Sequence, residues 1–212
     1  MRTLIAIAAA ALLAGCAVNV DNTTTGATNA PSPTVKVIMD AGHGSGVHIG
    51  NGYVITAGHV TENQKTISVK DSTGKEHKAE VLWLNHASDV SLIRVDDWHG
   101  MRKANLDCDA TKIGDAIRIE GNPNAVEFAV SWGRVSAFGK TGFENLDNNG
   151  LWRVLVTLDA TAAPGVSGGP VYDADGYTVR GILVSGMVTP RGVFPYSYMV
   201  PSTEICRVMG RV

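Results

Sequence analysis

Several features that would indicate other classes of protein are scarce in this sequence. Eighteen basic and twenty acidic residues are interspersed and give a net charge of −2. This pattern leaves no basic cluster for a nucleic acid and no polybasic run for an anionic membrane. The apolar run at residues 3–15 would extend roughly 20 Å as a helix, against a hydrocarbon core of about 30 Å. A permanent membrane-spanning helix is therefore excluded for this run, and no internal repeat is visible.

The N-terminal residues have the pattern of an export signal. Arg2 is followed by an apolar stretch, and Leu13-Ala14-Gly15-Cys16 resembles the lipobox of bacterial lipoproteins. The resemblance implies that residues 1–15 are a signal peptide and that Cys16 becomes a lipid-modified N-terminus, which anchors the protein to a membrane. An ordinary secretory signal cleaved near Cys16 is the alternative. Ala17 is not the Asp that retains many lipoproteins at an inner membrane, so an outer membrane is favoured if the host has two.

The next segment and the remaining cysteines fit an exported protein. Residues 17–34 are rich in Asn, Thr and Pro and predict a flexible tether behind the lipidated cysteine. Only Cys108 and Cys206 remain after processing. An exported protein can form disulfides, so these two residues are either bridged or two separate buried thiols. We expect the protein to face the periplasm or the cell exterior.

Most of the mature chain consists of short β patterns separated by turn residues. Residues 66–70 alternate apolar and polar side chains, turn residues occupy 71–74, and Ala79, Val81 and Trp83 resume the alternation, which predicts a hairpin. Similar patterns occur at 116–119, 126–130, 154–158, 178–184 and 196–200. Short strands at this spacing favour an all-β barrel or sandwich. One helix is predicted at residues 202–209, with Ser202 as its cap.

The segment Pro164-Gly165-Val166-Ser167-Gly168-Gly169-Pro170 is the most informative motif. Glycines around a serine suit a tight loop whose amides converge on one point. With Ser167 as a nucleophile, the N–H groups of Gly165 and Ser167 can form an oxyanion hole. A serine hydroxyl requires a histidine base and an orienting carboxylate for this chemistry.

Candidates for both partners lie upstream. His59 follows the apolar segment Tyr53-Val54-Ile55, and Asp89 lies 30 residues later and 78 residues before Ser167. The order His, Asp, Ser is that of chymotrypsin-type enzymes. A second Ala-Gly-His tripeptide contains His43, which comes too early for this pattern and is expected at an exposed strand entry. His77, His86 and His99 are expected at the surface, and Asp96 and Asp97 fall beyond the apolar strand.

These blocks together resemble the trypsin-like serine peptidases, and within them the bacterial HtrA/Deg type. The resemblance covers residues 35–205 and includes Gly44-Ser45-Gly46-Val47, Gly121-Asn122-Pro123 and Gly133-Arg134-Val135-Ser136-Ala137. It implies an all-β fold of two six-stranded antiparallel β-barrels with a short C-terminal helix. The implied peptidase domain is 35–212, with barrels at about 35–108 and 109–200 and the helix at about 202–209. No PDZ domain is expected after it.

Two positions bear on activation and specificity. The family usually has Asp or Asn before the serine, and here Val166 takes that place, so activation through a newly cut N-terminal amine is not expected. The resemblance places the base of the substrate pocket near Thr161 and its wall at Ser185, Gly186 and Met187. Thr161 carries no charge to pair with a substrate Arg or Lys, which predicts small or medium apolar side chains before the cleaved bond.

The expected function is a membrane-tethered serine endopeptidase acting on envelope polypeptides through His59, Asp89 and Ser167. The alternative is a catalytically silent relative that binds envelope peptides or proteins. No cofactor and no metal are expected, because His43 and His48 have no Cys or carboxylate partners nearby in the sequence. The physiological substrate, the oligomeric state and the origin of the gene stay open.

Overall fold

The computed structural model describes residues 31–139, 154–174, 176–189 and 192–211. The predicted signal peptide, Cys16 and most of the predicted tether lie outside the described residues. No helix among the described residues is long and apolar enough to cross a membrane.

The N-terminal half forms a closed antiparallel barrel. Its strands are β1 (Thr34–Met39), β2 (Gly42–Gly50), β3 (Tyr53–Ala57), β4 (Thr66–Lys70), β5 (Glu76–Asn85) and β6 (Val90–Val95). They run around the barrel in the order β1-β2-β3-β6-β5-β4, and β1 pairs with β4 to close it. The alternation in β4 buries Ile67 and Val69 in the barrel core, as the pattern predicts. The short helix α1 (Gly58–Thr61) follows β3 directly.

The C-terminal half forms a second barrel of six strands. These are β8 (Ala116–Gly121), β9 (Ala129–Gly139), β10 (Leu155–Asp159), β11 (Pro170–Asp173), β12 (Thr178–Thr189) and β13 (Gly192–Pro201). The order is β11-β8-β9-β10-β13-β12, and the pairing of β11 with β12 closes the barrel. The connection between the barrels contributes β7 (Asn105–Leu106), which lies parallel to β12. The predicted fold of two six-stranded barrels with a C-terminal helix is confirmed.

The terminal helix α2 (Ser202–Val208) is covalently joined to the connection between the barrels. Cys108 and Cys206 form a disulfide across 98 residues, which resolves the alternative that the sequence left open. Glu204 on α2 accepts hydrogen bonds from the Ser88 hydroxyl and from Arg207. The helix therefore contacts the loop that precedes β6 in the first barrel.

Several local predictions were wrong for identifiable reasons. The strand expected at 126–130 begins only at Ala129, because Asn124 and Phe128 adopt left-handed backbone conformations that interrupt an extended chain. Ser202 does not cap α2: its hydroxyl is buried and has no hydrogen-bond partner among the described residues. His77 is buried, because it lies on the inward face of β5 and pairs with Asp71 at 2.9 Å.

Candidate active site

His59 and Asp89 meet where the first barrel ends its third strand. His59 lies on α1 and Asp89 immediately precedes β6, the neighbour of β3 in the sheet. The Nδ1–H of His59 donates to Asp89 Oδ2 at 2.9 Å, and the backbone N–H of His59 donates to Oδ1 at 2.8 Å. Both carboxylate oxygens are thus directed at one residue. The ring nitrogen left free to accept a proton is Nε2.

The surroundings fix this pair. The Asp89 side chain is 3% exposed, whereas that of His59 is 41% exposed. The Gly58 amide donates to the Asp89 carbonyl at 2.9 Å, and a Cβ at position 58 would lie 3.1 Å from Asp89 Oδ1. The two backbones therefore approach closely, and a larger residue at this position would push against Asp89. The result is a buried carboxylate behind an accessible imidazole.

Ser167 lies beside the turn that carries His59. The Ser167 carbonyl accepts from the Ser45 amide at 2.8 Å. A Cβ built on Gly44 would lie 2.6 Å from the Val60 side chain and 3.1 Å from that same Ser167 carbonyl. A Cβ on Gly168 would approach Thr56 Oγ1 to 2.0 Å and the Ala57 amide to 2.8 Å. The serine loop of the second barrel is thus packed directly against the end of β3 and the start of α1.

The loop backbone has the features expected of converging amides. Gly165 has φ of 94° and Gly168 has φ of 81°, both in the region that favours glycine. The amides of Val166, Gly168 and Gly169 donate to the carbonyls of Ala163, Leu183 and Val166, respectively. The amides of Gly165 and Ser167 donate to no acceptor in the described part of the chain. These are the two amides that the sequence singled out.

The residues predicted to line a substrate pocket lie on two segments that face each other. Thr161 follows β10 and is exposed, while Ser185 and Met187 are partly buried on β12. A Cβ at Gly186 would lie 3.4 Å from the Ala162 methyl, so β12 approaches the segment after β10 closely. Ala162 was not predicted, and its proximity to Gly186 could not be inferred from sequence spacing. A neighbouring cavity of about 170 Å³ includes Thr161, Ala162 and Val166 in its lining.

Comparison with known proteins identifies the family. The trypsin-like peptidase domain matches residues 44–182, which include His59, Asp89 and Ser167. This chain belongs to the trypsin-like peptidase family. The peptidase is 32% identical over 167 residues to the periplasmic serine endoprotease DegP of Salmonella typhimurium, covering 76% of this chain and 34% of DegP. It therefore spans about a third of the length of that curated relative. Both the matched domain and this relative are peptidases.

Solved structures agree with this assignment. The HtrA-type protease AlgW, in a structure with a tripeptide, is 25% identical to the peptidase with a TM-score of 0.72, over 84% of this chain and 59% of AlgW. The protease Rv3671c of M. tuberculosis, in an inactive form, is 18% identical with a TM-score of 0.72, over 85% of this chain and 86% of that chain. The second likeness concerns the fold alone.

Two polar residues near the peptidase site had no clear signal in the sequence. His43, expected at an exposed strand entry, is half-buried and donates from Nε2 to the Asn122 carbonyl at 2.8 Å. Glu120 is buried on β8, and its burial raises the pKa of its carboxyl against the opposing effects of Ser32, Arg118 and Thr34. Arg118 donates to Glu120 at 3.2 Å. Both polar residues lie where the second barrel contacts residues of the first.

Among the described residues, no group of three or more His, Cys, Asp or Glu side chains could hold a metal ion. His48 is not a ligand candidate in its observed setting. Its Nδ1–H donates to the Arg102 carbonyl at 2.8 Å and its Nε2 accepts from the Gly52 amide at 3.2 Å. Both ring nitrogens are therefore occupied by the protein backbone.

Proposed function

We propose that this chain hydrolyses peptide bonds through Ser167, His59 and Asp89. Ser167 Oγ attacks the substrate carbonyl carbon while His59 Nε2 takes the hydroxyl proton, and the amides of Gly165 and Ser167 stabilise the oxyanion. The tetrahedral intermediate collapses with proton donation from His59 to the leaving amine. Water, activated by His59, then attacks the acyl-enzyme and releases Ser167.

The observation that carries this proposal is the pairing of His59 with Asp89. Because Oδ2 accepts the Nδ1–H at 2.9 Å, the neutral ring presents Nε2 as its acceptor. The carboxylate also stabilises the imidazolium that forms when Nε2 takes the serine proton. The serine loop packs against the same turn, which supports Ser167 as the proton donor.

Covalent labelling tests this function. A fluorophosphonate is expected to react with the wild-type protein at Ser167, and the label is expected to be lost in Ser167→Ala and strongly reduced in His59→Ala. Ser136→Ala, which removes a serine on β9 outside the site, provides a matched control that keeps the label. If the folded wild-type protein did not react with the fluorophosphonate, with or without added peptide, the result would instead support the silent peptide-binding alternative.

We propose that Thr161, Ser185 and Met187 line the pocket for the substrate side chain before the cleaved bond. The pocket segments carry no acid, and Gly186 lies close to Ala162, so a small or medium apolar side chain fits best. A peptide library is expected to show faster cleavage after Ala, Val or Leu than after Arg. A preference for Arg by two orders of magnitude would contradict this assignment.

We further propose that Cys16 carries a lipid and that the peptidase acts on envelope polypeptides from a membrane surface. The lipobox-like sequence and the periplasmic setting of DegP support this location. After metabolic labelling with a lipid precursor, the wild-type chain is expected to carry the label and to be recovered in the membrane fraction. Cys16→Ser is expected to remove the label and release the protein.

A further inference from the structure

The peptide groups on either side of the Gly165 Cα, between residues 164 and 165 and between residues 165 and 166, are held in fixed orientations. The Pro164 carbonyl accepts from the Asn124 amide at 2.8 Å, and the Gly165 carbonyl accepts from the Ser45 hydroxyl at 2.8 Å. In a trans peptide the N–H points away from the C=O of the same group. The Gly165 N–H is therefore directed away from Asn124. The bond from Asn124 orients the peptide group that contains the Gly165 N–H, and the bond from Ser45 orients the next peptide group, which contains the Val166 N–H. With both neighbouring peptide groups held, the backbone at Gly165 cannot rotate to turn its N–H away from the proposed oxyanion hole.

The Ser45 hydroxyl has no freedom to point elsewhere. A serine hydroxyl supplies one proton and two acceptor lone pairs. Ser45 Oγ accepts from the Asn122 amide at 2.9 Å and from Asn122 Nδ2 at 3.1 Å. Both lone pairs are occupied by donors, so the single proton is committed to the Gly165 carbonyl. Ser45 is 0% exposed, which excludes water as a competing partner.

Asn122 is itself fixed by the body of the protein. Its Nδ2 also donates to the Val35 carbonyl at 3.2 Å, and its Oδ1 accepts from the Phe128 amide at 3.1 Å. These contacts define which end of the amide is oxygen and which is nitrogen. Because Val35 lies on β1 of the first barrel and Asn122 follows β8 of the second, the chain of hydrogen bonds runs from one barrel through Ser45 to the serine loop.

No charged group performs this task from within the loop. Val166 is 6% exposed and packs into the core of the second barrel with Ile119 and Leu183. Its apolar side chain anchors the loop to the core of the second barrel. The Gly165 carbonyl is held by the first barrel, through Ser45.

We propose that Ser45 and Asn122 are positioning residues that hold the Gly165 amide in the oxyanion hole. This inference rests on the proposed peptidase function, and neither residue needs to touch the substrate. Their task is to make the hole part of the folded protein, so that no cleaved N-terminus or charged anchor is required.

Ser45→Ala tests the proposal by kinetics. The variant is expected to lower kcat about 10- to 100-fold, somewhat less than the roughly 10²- to 10³-fold loss when a direct oxyanion donor is removed. Its KM is expected to stay within about 3-fold of wild type, because ground-state binding does not use the hole. A peptide boronic acid, whose tetrahedral adduct occupies the hole, is expected to bind more weakly by a similar factor.

Thr34→Val is the matched control. Thr34 is also 0% exposed, and its hydroxyl is within 3.0 Å of the Tyr172 hydroxyl, so it too makes a buried contact between the barrels. Among the described residues, its hydroxyl makes no hydrogen bond to the serine loop. The control is expected to keep kcat near wild type even if it is less stable. Equal kcat losses in Ser45→Ala and Thr34→Val, or a loss expressed in KM alone, would overturn the proposal.

A second measurement does not need catalysis. In a Ser167→Ala background, Ser45→Ala is expected to speed hydrogen exchange of the Val166 amide at least about 10-fold relative to amides of the barrel strands. Unchanged exchange would overturn the proposal even if the enzyme were active. If the wild-type protein shows no hydrolysis, the proposed function fails, and this arm alone decides whether Ser45 orders the loop. Should Ser45→Ala fold poorly, Ser45→Cys retains a weak donor and is expected to lie between wild type and Ala in both assays.

Discussion

Asp89 occupies a left-handed backbone conformation, with φ of 54°, immediately before a strand. This conformation turns the side chain back so that Oδ1 meets the His59 amide and Oδ2 meets the His59 ring. Asp and Asn tolerate this region better than most residues. Asp therefore suits position 89 for two reasons: it tolerates the left-handed backbone, and it supplies the carboxylate.

Replacement of this residue by Asn gives a sharp prediction. In Asp89→Asn the amide oxygen is expected to keep the bond from the His59 backbone, which leaves the NH₂ group facing Nδ1. The ring must then accept at Nδ1 and carry its proton on Nε2, where it cannot take the serine proton. We expect kcat to fall about 10⁴-fold with little change in thermal stability.

The control for this variant is Asp97→Asn. Asp97 is exposed, pairs with Lys75 at 2.7 Å and makes no contact with His59 among the described residues. Turnover of a peptide substrate is expected to be unchanged in the control. If Asp89→Asn retained more than a tenth of wild-type kcat, the role proposed for Asp89 would be incorrect.

At the scale of elements, α2 is short and depends on its attachments. It has seven residues, lacks a side-chain N-cap, and is too short to be stable alone. The disulfide from Cys206 to Cys108 and the contact of Glu204 with Ser88 hold it in place. Arg207, as a hydrogen-bond donor, lowers the pKa of Glu204 and keeps it ionised near neutral pH.

Removal of the disulfide is expected to cost substantial stability. A double variant, Cys108→Ser with Cys206→Ser, frees a loop of 98 residues in the unfolded state. We expect the free energy of unfolding to fall by about 2–5 kcal/mol, measured by urea denaturation. Wild-type protein in a thiol reductant should match the double variant. Identical stability of the oxidised, reduced and variant forms would contradict this expectation.

At the scale of the whole molecule, stability is expected to depend on pH through His48. This residue is 1% exposed, and both of its ring nitrogens are used in the neutral form. Burial lowers its pKa, His77 lowers it further, and the Arg102 carbonyl partly opposes both. Because the folded state resists protonation, the unfolded state binds more protons below its own pKa of about 6.5. The stabilisation is complete above that pH and is lost as the pH falls below it.

Unfolding by urea at pH 7.5 and pH 5 measures this dependence. The wild-type free energy of unfolding is expected to fall over this interval, by at most about 1.4 kcal/mol per pH unit from this one group. His48→Asn should be less stable at pH 7.5 but show a smaller pH dependence. His86→Asn, at an exposed position, should retain the wild-type dependence. Equal pH dependence in all three proteins would show that His48 is not responsible.

Features set by residues close together in the sequence were predictable, whereas contacts between residues far apart in the sequence were not. The alternation at residues 66–70 and the glycines around Ser167 are local signals, and the strand and loop that they predict are present. The association of Ser45 with Asn122 and Gly165 spans 77 and 120 residues, and small polar residues in a strand look the same whether they face water or a buried partner. Two short polar motifs, Gly-Ser-Gly and Gly-Asn-Pro, were the visible signal, and only the docking of the two barrels joins them.

The tie between α2 and the loop before Asp89 has a practical consequence for anyone who purifies this protein. We expect dithiothreitol to loosen α2, whose Glu204 contacts Ser88, the immediate neighbour of Asp89. Apparent specific activity is then expected to vary with the handling history of the sample, even when its concentration and purity do not. Activity assays of this protein should therefore report the free-thiol content alongside each rate.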